Sequence, residues 1–299
     1  MTASLVRDLR AALDEGGLRG SFLVRDLRSG AELGIDPDRE YPIASLVKVP
    51  LAAVTLDRIR RGELDAATQL EVPPGGVTTP GPTGLTRFRH PARVAVGDLV
   101  YLSTSLSDGT AADVLFGLTP PPEITRTLAE WGLPGIAVRH LMRDLVQTPA
   151  ERFDAGEADL AHALAIGAST AGQGHRLPQL DVTRANSASA RALLSLLEAL
   201  WTPSKIDPAV AGGVRELMAN NVIRHRMTPE FASDAARWSS KTGTLLNLRH
   251  EMGVVEHADS GVFAVVALTE SRVPAAVQPE AEVLMTRVAR ALRDELRGG

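Results

Sequence analysis

The apolar residues of this 299-residue chain change period twice, and that double change limits how it can fold. Leu5, Val6, Leu9 and Leu13 recur at helical spacing, predicting a helix from Leu5 to about Leu18. Gly20–Leu27 then reads as a strand, Arg28–Gly30 as its turn and Ala31–Ile35 as its hairpin partner. A long middle follows in helical period, with Ala188–Leu200 its strongest segment. Near the end the alternation becomes that of strands, in Trp238–Thr244, Glu251–Val255 and Gly261–Leu268, before Pro279–Leu296 closes as a helix. Strands at both ends complete each other in one sheet if the helical middle is inserted between them. The expectation is an α+β fold in which an antiparallel sheet is flanked by helices. Residues 1–47 and 206–299 would form a discontinuous α/β lobe and residues 48–205 an inserted all-α lobe. A cleft between the lobes is where a site is expected.

Composition narrows the function classes. A net charge of −4 without a basic stripe gives neither nucleic acid nor an anionic membrane any electrostatic hold. There is no cysteine, so disulfides, thiolate catalysis and Cys-ligated metal are excluded. The seven histidines, among them His90, His140, His162, His175 and His225, show no ligand spacing, and no Rossmann or P-loop glycine pattern occurs. No metal or cofactor is expected, and the partner expected is a small molecule. Met1–Glu15 reads as a charged amphipathic helix without an apolar leader core, so the chain as written is expected in the cytoplasm.

Within this frame Ser45-Leu46-Val47-Lys48 stands out. If a helix starts there, the hydroxyl and the amine share one face a turn apart. Ala44, Leu46, Val47, Val49, Leu51 and Val54 surround them with apolar residues. A lysine in apolar surroundings loses its proton more readily, and a neutral lysine can take one from a serine. Ser107-Asp108-Gly109 reads as a turn ahead of a helix from Thr110, and Lys241-Thr242-Gly243 lies on a late strand.

In this order and context, Ser45-x-x-Lys48, Ser107-Asp108-Gly109 and Lys241-Thr242-Gly243 resemble the motif set of class A β-lactamases and penicillin-binding proteins. The resemblance covers nearly the whole chain. It implies Ser45 as the nucleophile of an acyl-enzyme, Lys48 as its base, and Ser107, assisted by Lys241, as the proton relay to the leaving nitrogen. It implies an oxyanion hole from the backbone N–H groups of Ser45 and Thr244. It places Asp108, Gly109, Thr242, Gly243, Thr244 and Arg249 on the substrate-binding side, with His250 as an alternative to Arg249 for added positive charge.

Two departures from the family pattern bear on substrate and turnover. Gly109 stands where the family has an asparagine that contacts the substrate's acylamino group. No glutamate is in register with the family's deacylating base in Val138–Leu145; Asp144, Glu151 and Glu157 are the nearby acids. Asp113 replaces the asparagine that supports that glutamate, and two facing carboxylates would raise a pKa at some cost, so the two changes agree. The implied function is a serine hydrolase acting on a β-lactam or related amide or ester. The alternatives are an esterase, peptidase or acyltransferase of secondary metabolism on the same fold, or a β-lactam binder that stays acylated.

Overall fold

A computed structural model describes residues 2–75, 83–145, 147, 158–170, 174–202, 204–274 and 277–298. In chain order it runs α1 (Thr2–Glu15), β1 (Leu18–Asp26), β2 (Glu32–Ile35), β3 (Glu40–Pro42), a 3₁₀ turn at Ala44–Val47 and α2 (Lys48–Arg60). Then come β4 (Gln69–Val72), a 3₁₀ turn at Gly84–Arg87, β5 (Ala92–Ala95), α3 (Val96–Ser105), α4 (Gly109–Leu118) and α5 (Pro121–Glu130). β6 (Ile136–Ala137), α6 (Met142–Leu145), α7 (Ala158–Ile166), a 3₁₀ turn at Pro178–Leu180, β7 (Ser187–Ser189) and α8 (Ala190–Trp201) follow. The chain ends with α9 (Pro208–Ala219), α10 (Thr228–Phe231), β8 (Ala236–Leu245), β9 (Leu248–His257), β10 (Val262–Ser271) and α11 (Pro279–Gly298).

The two chain ends do share a sheet. Five antiparallel strands lie in the order β2-β1-β10-β9-β8, so the opening hairpin pairs with the last strand, Phe22 opposite Ala267. One face of this sheet carries Phe22, Val24, Trp238, Val255 and Val265 against Leu13 of α1 and Met285, Val288 and Leu292 of α11. The other face sends Met252, Val254, Ala264 and Val266 into a larger core with α2, α4 and α8. The fold is α+β, as expected. The inserted stretch is mainly helical but also carries β4, paired with β5, and β6 and β7, which pair in a small sheet with β3.

Several boundaries moved for local reasons. The first helix stops at Glu15 because Gly17 takes φ +69° and redirects the chain into β1. Val94 is extended opposite Leu70, and α3 begins two residues later, after Ala95 at ψ 149°. α5 starts at Pro121, a position where the missing N–H costs nothing.

Candidate active site

Four elements meet at one cleft. The 3₁₀ turn at Ala44–Val47 presents Ser45, and α2 continues it from Lys48. Pro50 fits there because the first helical turn needs no N–H donors. β8 is the edge strand of the sheet and runs against this turn. Gly243 permits the approach: a Cβ there would lie 2.9 Å from the carbonyl oxygen of Ile43 and 3.2 Å from Leu46. A side chain at that position would push β8 away from Ser45.

The third component is the turn before α4. Asp108 is its anchor, fully buried. One oxygen accepts hydrogen bonds from Thr110 N (2.9 Å), Ala111 N (3.1 Å) and Thr86 Oγ1 (2.6 Å), and the other accepts from Leu85 N. That carboxylate caps a helix and binds a neighbouring turn, so its oxygens are committed to scaffold. Ser107, beside it, is held at φ +61°, and Ala44, just before Ser45, at φ +46°. Non-glycine residues in this region store strain, and here two such residues flank the chemistry.

The result is a polar cluster in an apolar wall. Lys241 Nζ donates to Ser107 Oγ at 2.8 Å and to Thr242 O at 2.8 Å. Lys48 Nζ donates to Ser107 O at 2.6 Å and lies 3.3 Å from Ser107 Oγ. Both lysines are buried, and the chain contains three lysines in all. Burial lowers the Lys48 pKa to about 8, partly offset by the charges of Asp108 and Asp113. Lys241 is pushed well below its usual value, first by burial and then by the positive charges of Lys48 and Arg226. Ser45 is half-buried in the same cleft, and its hydroxyl makes no hydrogen bond among the described residues.

Ser45, Lys48, Ser107, Gly109, Thr242, Thr244 and Arg249 all line this cleft, of about 1720 Å³, together with Asp113 and Met142. Lys241 reaches it through Ser107. Arg249 points its guanidinium at the carbonyls of Leu246 (2.6 Å) and Leu248 (2.8 Å) and approaches Glu282 at 3.6 Å. His250 does not add the positive charge considered for it. It is fully buried, with Nε2 2.9 Å from Pro42 O and Nδ1 accepting from Thr269 N at 3.1 Å, and burial lowers its pKa to about 4. A neutral imidazole joins backbone to backbone there.

Sequence reasoning missed Arg226. It is buried behind β8, donating to Thr244 Oγ1 (3.1 Å), to His250 O (2.9 Å) and to Glu282 Oε1 (3.0 Å). Nothing local marks it among the many arginines; only the fold brings it to Thr244.

The wall built by α6 is of another kind. Asp113 Oδ1 accepts from Met142 N at 2.6 Å and Oδ2 from Arg143 N at 2.9 Å, so the Asp113 carboxylate caps this short helix. Burial raises its pKa against those two bonds. Asp144 accepts from Leu141 N at 3.0 Å within the same turn and does not line the cleft. Glu151 and Glu157 lie outside the described residues. Arg139, His140 and Asn186 lock the approach to this turn. Asn186 Oδ1 accepts from Arg139 N (2.7 Å) and His140 N (3.1 Å), and His140 Nε2 accepts from Asn186 N (3.0 Å). Among the described residues no cluster of His, Asp and Glu could hold a metal ion, and no helix is long and apolar enough to cross a membrane.

This arrangement of serines and lysines on this fold defines a β-lactamase-like protein of the serine type. The model of the beta-lactamase enzyme family matches residues 4–296, and the chain belongs to that family. It is 65% identical over 305 residues to the beta-lactamase regulatory protein BlaB of Streptomyces cacaoi, covering 98% of each chain. Among solved structures it resembles a beta-lactamase from Chitinophaga pinensis, with a TM-score of 0.78 at 16% identity over 98% of this chain and 99% of that one. It also resembles a PBP-A variant solved as an acyl-enzyme with penicillin G, with a TM-score of 0.75 at 17% identity over 99% and 97%.

Proposed function

We propose that this protein forms an acyl-enzyme through Ser45 on a β-lactam or a related amide or ester. The observation that carries the reading is the convergence of two buried lysines on Ser107 in the cleft that holds Ser45. The Ser45 hydroxyl attacks the carbonyl carbon and gives its proton to neutral Lys48, whose pKa of about 8 leaves a useful neutral fraction near physiological pH. The oxyanion is received by the backbone N–H groups of Ser45 and Thr244. When the C–N or C–O bond breaks, Ser107 protonates the leaving atom and regains its proton from the lysines on either side. Thr242, with Lys241 and Arg226 behind it, binds a carboxylate next to the leaving nitrogen.

Deacylation is the slow half of the cycle in this reading. Water must be activated beside the acyl-serine, and the α6 wall offers Met142, Arg143 and a carboxylate, Asp113, already holding two backbone N–H groups. The likeness to a protein named as a regulator favours a second reading, in which a long-lived adduct is the signal and hydrolysis is incidental. Intact-protein mass spectrometry after mixing with penicillin G separates the readings. A persistent adduct, absent in Ser45→Ala, supports acylation with slow turnover. An unmodified protein that consumes the drug supports a competent hydrolase, and no adduct with no consumption excludes β-lactams as substrates.

A further inference from the structure

The cleft is larger than a bicyclic lactam requires. Its volume of about 1720 Å³ exceeds the roughly 300–1,000 Å³ of ordinary small-molecule pockets. Much of the lining beyond Ser45 and Ser107 belongs to α11 and the elements beside it. From Thr242 and Thr244 the cleft continues past Leu246 and Arg249 to α11, and follows that helix from Glu282 to Asp294. The twelve helical steps from Glu282 to Asp294, at about 1.5 Å each, make this arm about 18 Å long. Its other bank is formed by Val222, Ile223, His225 and Pro229 and Glu230 of α10.

Chemistry along the arm is specific. Val222 and Val283 expose about half their surface, 53% and 50%. The acids are already matched: Glu282 is shared by Arg226, Arg249 and His225, and Arg290 pairs with Glu230 and Asp294. Arg287 is exposed and has no ion pair or hydrogen bond among the described residues. Beside the arm, β8 is a terminal strand, the kind of edge on which an extended chain can lie.

We propose that the α11 arm is a subsite for the leaving-group side of an extended, peptide-like substrate, which sets an apolar side chain between Val222 and Val283 and an anionic group on Arg287. The side follows from the acylation reading, on which this inference rests: the carboxylate site at Thr242 lies between Ser45 and the arm, so whatever is attached beyond the leaving atom enters it.

Two thioesters with the same phenylacetyl acyl group test the subsite. One has thioglycolyl-Val-Glu-amide as leaving group and the other thioglycolyl-Gly-Gly-amide. Thiol release is read directly because the chain has no cysteine. The Val-Glu probe is expected to acylate the protein roughly tenfold faster. Arg287→Glu should bring it down to the Gly-Gly rate and leave the Gly-Gly rate unchanged, with the melting temperature confirming an intact fold. Calorimetric titration with the uncleavable thioether analogues, in which phenethyl replaces phenylacetyl, should show the same order of affinities and the same loss in Arg287→Glu. Equal rates and affinities for both probes, or indifference to Arg287→Glu, would overturn the subsite. If neither thioester releases thiol while calorimetry still discriminates, acylation fails and the subsite stands.

Discussion

The two walls of the cleft use the same device, an aspartate that caps a helix, to opposite ends. Asp108 caps α4, ties it to the turn at Leu85 and Thr86, and leaves the neighbouring Ser107 facing two lysines. Asp113, just over one turn further along α4, caps α6 and fills the other wall with backbone. The first carboxylate is sealed in the interior, beside a serine that lies between two lysines. The second lines the cleft and is itself tied up. The same kind of cap thus leaves one wall with a serine between two lysines and the other with a carboxylate already occupied by backbone, and under the proposed acylation reading this is why acylation and deacylation should differ in rate.

Removing the amine of the relay should have the largest effect. Lys48→Met is expected to slow acylation about 10²–10⁴-fold, the usual worth of a general base, measured as adduct formation over time. In the unchanged protein the same rate should rise with pH through about 8, because the neutral amine is the active form. A rate flat from pH 6 to 9 would contradict the assignment of Lys48.

Next in size is the scaffold carboxylate. Asp108→Ala removes acceptors for Leu85, Thr86, Thr110 and Ala111 in a buried place and should cost about 2–4 kcal/mol, read as a lower denaturation midpoint. Asp113→Asn probes the other wall with a smaller penalty, about 1–2 kcal/mol, because the amide can accept from only one of Met142 and Arg143. It also removes a negative charge that supports protonated Lys48, so the pH–rate limb should move to lower pH. If Asp108→Ala and Asp113→Asn have indistinguishable effects on stability and on the pH profile, the contrast between the walls fails.

The smallest effect concerns His250. Its folded pKa, about 4, is below the ordinary 6.5, so the unfolded chain binds the extra proton first as pH falls. The stability it contributes is present above pH 6.5 and lost progressively toward pH 4. His250→Gln should flatten the decline in melting temperature across that window; an unchanged slope would remove His250 from the acid response.

One wall was legible in the sequence and the other was not, for a physical reason. Ser45 and Lys48 are one turn apart, and Ser107 and Lys241 sit in short motifs whose local structure is set by nearby residues, so their meeting in one cleft was legible in the chain. The sheet was legible too, since β8, β9, β10 and α11 announce themselves by period. Arg226 was not, because it reaches Thr244 only after the sheet and α11 have assembled. The role of Asp113 depends on a backbone 29 residues away in a turn without strong propensity. β3, β6 and β7 are strands of two or three residues that pair only with each other, and no period can show in so few positions. His250 shows the converse: a polar residue beside a motif attracts a functional reading, while the fold uses it to join Pro42 to Thr269.

The central claim is that two lysines are buried around one serine with their protons loosened. Because the chain has only Lys48, Lys205 and Lys241, ¹³C-labelled lysine gives three resolvable signals in a pH titration by NMR. One signal, lost in Lys48→Met, is expected to titrate near pH 8, and a second, lost in Lys241→Met, to lie well below the ordinary lysine range. Lys48 and Lys241 signals that both titrate near 10.5 would contradict it.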